Sequence, residues 1–342
     1  MNLKWNSIWL LGLLLSSVSV YAQDLTCIKE FSEMEPQYKT KSVSFGDSDA
    51  IISGTIYYPI KEGNYPAIIV MPGGGSNVTN LRDVPVYLGK RAAACGIVTL
   101  VYDKRGTGDS KGNYNEADFN DFLADASAGV ELIKNLPEVN SRKIGAVGFS
   151  QGARLIANLA VRNKDISFIA GVSGPIYPVG LTRYYAFKNS ISRTQTPDST
   201  LAQILPIWEE HFKALEAKDE TRSLQLDQVI EKASVRLNRN LLPPLYRDIE
   251  RMPIYNSMGI DLLTELEELN VPWFSLYGED DRIVPVQESI KNIRAIMELS
   301  GNDDFIIEVI PNSSHSLYIE EESKNYPFEA EIIKWVLSLY QN

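Results

Sequence analysis

Residues 143–161 read KIGAVGFSQGARLIANLAV. The first part is a short apolar run, Ile144 to Phe149, of strand character, and the last part, Ala153 to Val161, carries apolar residues at helical spacing. Between them stands Gly148-Phe149-Ser150-Gln151-Gly152. A serine on a tight strand-to-helix turn is lifted above the sheet, and only small flanking residues permit so sharp a bend. The helix that begins there also turns its unpaired N–H groups and positive dipole end toward the serine. The string alone would equally suit a glycine-rich turn with a capping serine. The strand before it and the helix after it favour a nucleophile.

Working outward, PAIIVM, GIVTLVYD, SFIAGVSG, VPWFSLYG and FIIEVI are further apolar runs of the kind that suit strands buried on both faces. Helical patterns separate most of them, including Asp118 to Leu136, which stops before Pro137, and Phe328 to Leu339. The alternation predicts a mostly parallel sheet with helices on both faces. Upstream, Lys41–Phe45 and Ala50–Pro59 flank Gly46-Asp47 and read as an antiparallel pair. Residues 176–260 break the alternation. Leu205, Trp208, Phe212 and Leu215 fall on one helical face there, and Leu226, Ile230, Ala233 and Leu237 on another, with Pro206, Pro243, Pro244 and Pro253 as punctuation. A helical cap insertion is expected. The domain reading is residues 1–22 as a signal peptide, 23–175 and 261–342 as the α/β core, and 176–260 as the cap.

A serine hydroxyl needs a base, and histidine exchanges protons near neutral pH. The chain has two histidines. His315, in PNSSHSL, follows the last predicted strand, where this topology returns a side chain to the carboxyl edge of the sheet. His211 lies beside Trp208, Phe212 and Leu215 and reads as a packing residue. The third member must be a carboxylate that orients the imidazole. YGEDDRIVP offers Glu279, Asp280 and Asp281, and the residues by themselves do not choose among them. Backbone donors for an oxyanion are expected at Gln151 and at Gly74 or Gly75 of MPGGGS. A triple glycine can also cradle phosphate, but no Gly-Lys-Ser/Thr or G-x-G-x-x-G accompanies this one.

The order Ser, Asp, His, together with GFSQG, GEDDRIVP and PNSSHSL, resembles the α/β-hydrolase superfamily, in its exported esterase and serine-aminopeptidase-like branch. The likeness runs from about Ser42 to Leu339 outside the cap. It implies the α/β-hydrolase fold and, by that family's spacing from Gly278, Asp281 as the acid, with Asp280 as fallback. Two departures are Ala153, where many members have a further glycine, and MPGGG in place of HGGG or HGxG. The loop YDKRGTGDSKG, residues 102–112, also resembles one common in the family. Asp103 and Arg105 are expected to brace the loops around the oxyanion segment, and Asp125 reads as an exposed or capping helix charge.

The chain starts with Lys4, an apolar run around Ile8 to Leu15, and Val20-Tyr21-Ala22, which is a signal-peptide layout. Cys27 lies five residues beyond Ala22, so no lipid anchor is expected, and the mature protein should be periplasmic or secreted. Cys27 and Cys95 could bridge in such a compartment, although Cys95 in RAAACGIV reads more simply as a small buried thiol. The net charge of −11 argues against binding nucleic acid or an anionic membrane surface. Neither a cofactor nor a metal site is expected, since there is no CxxC and only two histidines.

The expected activity is hydrolysis of a small-molecule carboxylic ester through Ser150, His315 and Asp281. Alternatives on the same residues are an aminopeptidase-like peptidase, with Glu209 or Glu210 binding a free amine, and a thioesterase or acyltransferase. A catalytically inactive binding protein is the reading from a different class. Oligomeric state is not legible.

Overall fold

A computed structural model describes Cys27 and residues 37–75, 84–194, 196–236 and 256–340, with backbone alone at 231–236. Residues 1–22, Leu237, Pro243, Pro244 and Pro253 lie outside the described residues. Strands β1 (Tyr38–Gly46) and β2 (Ile51–Pro59) pair antiparallel, with Lys41 opposite Ile56. They are followed by β3 (Tyr65–Met71), α1 (Val84–Ala94), β4 (Val98–Tyr102), α2 (Phe119–Lys134) and β5 (Val139–Phe149). Next come α3 (Gln151–Arg162), β6 (Ile166–Val172) and then helices α4 (Val179–Ile191), α5 (Asp198–Glu216) and α6 (Glu220–Arg236). Strand β7 (Trp273–Gly278), α7 (Val286–Ser300), β8 (Phe305–Ile310), the short β9 (Tyr318–Ile319) and β10 (Lys324–Asn325), and α8 (Phe328–Ser338) complete the chain.

The main sheet has eight strands in the order β1-β2-β4-β3-β5-β6-β7-β8, and from β4 through β8 every neighbour is parallel. Its central strands are buried on both faces, which is why they read as continuous apolar runs. In β3, Ala67, Ile69 and Met71 face one core with Phe122, Leu155 and Ile293, from α2, α3 and α7. Ile68 and Val70 face the other, with Leu88 and Ala92 of α1 and Ile332 and Val336 of α8. Period-two alternation thus feeds two helix layers at once. Fully burying each such side chain is worth about 1.5–3 kcal/mol.

Helix α2 starts where Asp118 accepts from the Asn120 and Asp121 N–H groups while Asp121 Oδ2 accepts from the Asp118 N–H, a reciprocal capping box. The charge expected to be exposed or capping, Asp125, is neither. It is 4% exposed and held bidentately by Arg105 Nε and Nη2, both at 2.8 Å. It shares the inner face of α2 with Phe122, Ala126 and Gly129, so burial required a cation to reach it. Burial pushes its carboxyl up, and Arg105 pulls it partly back.

Helices α4, α5 and α6 join the core on the face carrying α2 and α3, through Phe187 of α4, Trp208 and Phe212 of α5, and Ile230 of α6. The rings of Phe187 and Trp208 lie 4.5 Å apart. Pro206 lies inside α5 instead of punctuating it, on the solvent side, while Ile204, Trp208 and Leu215 point inward. No helix among the described residues is long and apolar enough to cross a membrane.

The reading of Cys95 as a simple buried thiol is corrected. Cys27 and Cys95 form a disulfide, with their Cα atoms 5.2 Å apart. Cys95 closes α1 and is only partly buried, which leaves its sulfur within reach of the N-terminal segment. The bridge spans 68 residues, and it restricts the unfolded chain accordingly. Cys95→Ser, or reduction of the native protein, should therefore lower stability by about 2–4 kcal/mol. Urea unfolding of oxidised and reduced protein checks this, and equal midpoints would contradict it.

Candidate functional site

The carboxyl ends of β3, β4, β5, β7 and β8 meet on one edge of the sheet, and the predicted site residues lie there. Ser150 sits between β5 and α3 with φ 50° and ψ −113°, a left-handed conformation that L residues adopt at a cost. Its N–H donates to the Val172 carbonyl at 2.8 Å, tying the turn to β6. A Cβ at Gly152 would strike the Met71 and Pro72 carbonyls, and one at Gly148 would strike the Gly152 backbone. Both glycines are thus demanded by contact. Ala153, the departure from the family pattern, is accommodated because its methyl packs against Gly171 and Gly174.

His315 Nε2 lies 3.1 Å from Ser150 Oγ, and His315 Nδ1 lies 2.7 Å from Asp281 Oδ2. With Nδ1–H donating to the carboxylate, Nε2 is left to accept from the serine. The Asp281 side chain is fully buried, and its Oδ1 accepts from the Ile283 and Val284 N–H groups at 2.8 and 2.9 Å. Tyr185 Oη donates to the Asp281 carbonyl at 3.0 Å, so α4 also steadies this turn. Of the three adjacent acids, Glu279 and Asp280 are exposed, and Glu279 accepts from the Asn312 N–H. Gly278 is required because the Ser313 and Ser314 carbonyls occupy the space of a side chain there. That close approach lays the His315 loop on the end of β7. Ser173 Oγ, donating to the His315 carbonyl at 2.8 Å, holds the loop from β6. His211 is buried elsewhere, edge-on to Trp208 and 3.4 Å from Asp227 on α6.

Gly74 adjoins Gln151, and both line a cavity of about 60 Å³ that contains Ser150. The N–H of Gly75, the alternative to Gly74, donates to Tyr114 Oη at 3.0 Å. Sequence reasoning passed over Lys104, whose Nζ donates to the Gly73 carbonyl at 2.7 Å and the Gly75 carbonyl at 2.9 Å. The Gly73 C=O and the Gly74 N–H belong to one trans peptide and point in opposite directions. Lys104 therefore helps to fix the direction of the Gly74 N–H. Asp103 and Arg105 hold the neighbouring 102–112 loop: Asp103 accepts from the Asp109 N–H, and Arg105 ties the loop to α2. Burial pulls the Lys104 ammonium down from 10.5 to about 7. The available signal was a lysine two residues past the carboxyl end of a buried strand. Also missed was Arg154 on α3, whose side chain lines the Ser150 cavity.

Glu209 and Glu210 do not line that cavity. Lys213 Nζ lies 2.9 Å from Glu209 and 3.5 Å from Glu210, and Glu209 faces a separate cleft with Tyr177 and Tyr184. Among the described residues no group of three or more His, Cys, Asp or Glu could hold a metal ion.

Protein YcjY of Escherichia coli K12 is 33% identical to the chain over 140 residues, which are 38% of the chain and 44% of YcjY. The cutinase est1 of Thermobifida alba is 29% identical over 122 residues, 35% of the chain and 38% of the cutinase. The chain thus spans less than half the length of these relatives. Two solved structures share the fold: protein PA2218 of Pseudomonas aeruginosa and the esterase Pf2001 of Pyrococcus furiosus. For PA2218 the TM-score is 0.57 at 17% identity, covering 99% of both chains. For Pf2001 it is 0.59 at 19% identity, covering 91% of this chain and 94% of that one. Residues 66–322, which take in the glycine loop, the Ser150 turn, Asp281 and His315, match the family described as serine aminopeptidase, S33. With most of its length inside that match, the chain belongs to this family, within the α/β-hydrolase superfamily.

Proposed function

We propose that the protein is a serine hydrolase that transfers a short acyl group from a carboxylic ester to water. The observation that carries this reading is the hydrogen-bonded chain Ser150–His315–Asp281, with its carboxylate buried and pre-oriented. His315 Nε2 takes the Ser150 proton as Oγ adds to the ester carbonyl. The oxyanion is met by the Gly74 and Gln151 N–H groups. Collapse expels the alkoxide, which takes the proton from His315. Water, deprotonated by His315, then cleaves the acyl-serine, releasing a carboxylic acid and restoring Ser150. Asp281 keeps the imidazole in the right tautomer and stabilises the imidazolium.

Residues 176–260 act in this proposal as a cap: α4 supplies Val179, Thr182 and Ala186 to the wall of the cavity. The small volume favours a short acyl group. The resemblance to proteins named cutinase supports an ester as the substrate class. The signal-peptide pattern of residues 1–22 and the Cys27–Cys95 bridge support export. Amine recognition by Glu209 or Glu210, which an aminopeptidase would need, is disfavoured by their pairing with Lys213 outside the cavity.

Ser150→Ala is expected to abolish both labelling by a fluorophosphonate and ester turnover while the protein stays folded; labelling that persists would remove Ser150 from its role. His315→Ala should lose several orders of magnitude in kcat, His211→Ala less than about tenfold, and Asp281→Asn far more than Asp280→Asn. Steady-state kinetics on p-nitrophenyl acetate rank the four variants.

Substrate class is tested by comparing p-nitrophenyl acetate and butyrate with aminoacyl esters bearing free and blocked amines. The expected result is no dependence on the free amine. Strong dependence, lost in Glu209→Gln, would favour the peptidase reading instead.

Lys104→Met should lower kcat by about tenfold or more with a smaller change in KM, because the Gly74 donor matters only once the oxyanion forms. The pH dependence of stability has a definite sign. Between about 7 and 10.5 the unfolded lysine binds a proton that the native one has released. The cost of the buried charge is therefore complete below about pH 7 and fades as pH rises toward 10.5. The stability of the native protein relative to Lys104→Met should increase from pH 7 to 10, read by urea unfolding, and a flat difference would contradict it.

A further inference from the structure

Arg154 follows Ser150 by one turn of α3, so the two share a helix face. It is 3% exposed. Nη1 donates to the Tyr177 carbonyl at 2.6 Å, and the guanidinium carbon lies 5.5 Å over the Phe119 ring. Nε is buried with no hydrogen-bond partner. The acids that act on Arg154 through space, Glu216 and Asp261, are committed elsewhere, to the Gly180 N–H and to Thr264. Burial draws the guanidinium down to about 10, which leaves it charged at neutral pH. Among the described residues no carboxylate bonds Arg154 directly, and Glu216 and Asp261 offset its charge only through space; a buried cation so weakly compensated is disfavoured unless something supplies more negative charge. The stacking on Phe119 and the bond to Tyr177 account for its position but not for its charge or for the unpaired Nε.

Its surroundings say what would fit. Among the described residues the cavity that Arg154 shares with Ser150, Gly74 and Gln151 is lined by no acidic side chain, in a chain whose net charge is −11. Guanidinium groups match carboxylates in shape and charge. About 60 Å³ admits roughly four to six water-sized groups, which is the size of a two-carbon spacer and a carboxylate beyond the scissile carbonyl.

We propose that Arg154 anchors a carboxylate carried by the substrate, so that the preferred substrates are short esters bearing a free carboxyl group within a few bonds of the scissile carbonyl. The proposal rests on Ser150 being the nucleophile, and it names the substrate class of that same site. The carboxylate can belong to the acyl part or to the alcohol part, and the two sources call for different probes.

The test uses the full-length processed protein and two matched pairs. Ethyl hydrogen succinate against ethyl 4-oxopentanoate places the charge on the acyl side, and acetoxyacetate against acetoxyacetone places it on the alcohol side. The expected result is a kcat/KM at least about tenfold higher for the anionic member of one pair, which also identifies the side. In Arg154→Gln that ratio should collapse toward one, and in Arg154→Lys it should be intermediate. Wild-type protein with no anionic preference in either pair overturns the proposal, whether or not the variants fold. So does a ratio that survives in a folded Arg154→Gln.

Calorimetry with succinate separates this proposal from the hydrolase reading. Succinate should bind Ser150→Ala and fail to bind Ser150→Ala/Arg154→Gln. Arg154-dependent binding without turnover of any ester would sustain the anion site and sink the hydrolase reading. Turnover of neutral esters with neither anionic preference nor succinate binding would do the reverse.

Discussion

The reversal of the chain between β5 and α3 is the constraint from which the site follows. The turn demands a left-handed backbone at Ser150 and two glycines so close to their neighbours that no side chain fits. Gly152 presses on the Met71 and Pro72 carbonyls, which fixes the end of β3 against the start of α3. That interlock is what sets Gly74 beside Gln151 and puts both in the wall of the Ser150 cavity. Strain of about 1–3 kcal/mol at one residue is sustained by two well-packed layers around it. Any side chain at Gly152 would displace the serine and the glycine loop together.

A second close approach carries the other half of the site. Gly278 lets the Ser313 and Ser314 carbonyls settle onto the end of β7, bringing the His315 loop over the turn that buries Asp281. The acid is bound on one oxygen by two backbone N–H groups and on the other by the imidazole, which leaves little freedom to either ring or carboxylate. Ser173, itself left-handed at φ 52°, and Tyr277, donating to the Gly174 carbonyl at 2.7 Å, link this half to the turn that leads into α4. Three strand ends are therefore coupled through hydrogen bonds as well as through the sheet.

How much of this was legible depended on whether the signal was local. The strand, turn and helix around Ser150 are contiguous in sequence, so their reading needed no tertiary knowledge, and the buried parallel strands announced themselves as unbroken apolar runs. His315 was legible because only two histidines exist and one packs against Trp208. Asp281 was not separable from Asp280 by local physics. What distinguishes it is burial and two backbone donors, and those exist only once the chain is folded. Cys95 and Asp125 were misread for one reason: each is answered by a partner distant in sequence, Cys27 or Arg105, that no local pattern reveals. Pro206 was misread because a proline on the outer face of a long helix can be tolerated when the inner face is as well packed as that of α5.

The same distinction explains why Lys104 and Arg154 escaped notice, and it points to a shared physical role. Each is a buried cation whose head group is turned onto backbone carbonyls, Gly73 and Gly75 for Lys104 and Tyr177 for Arg154. In sequence they are ordinary charges that a surface would accommodate. In the fold one is bonded to the glycine loop and the other lies along α3 in the wall of the Ser150 cavity, within a chain that is otherwise strongly acidic. Holding charge in such places opposes folding, since both groups are drawn below their ordinary ionisation by burial. A clamp on a carbonyl needs only a neutral donor, so orientation of the backbone does not by itself require a cation. A positive site does serve a reaction in which negative charge develops on the carbonyl oxygen, because fixed charges in a dry cavity act on it without reorganising. The cost of burying Arg154 thus falls in the wall of the Ser150 cavity, and that of Lys104 on the carbonyls that flank Gly74.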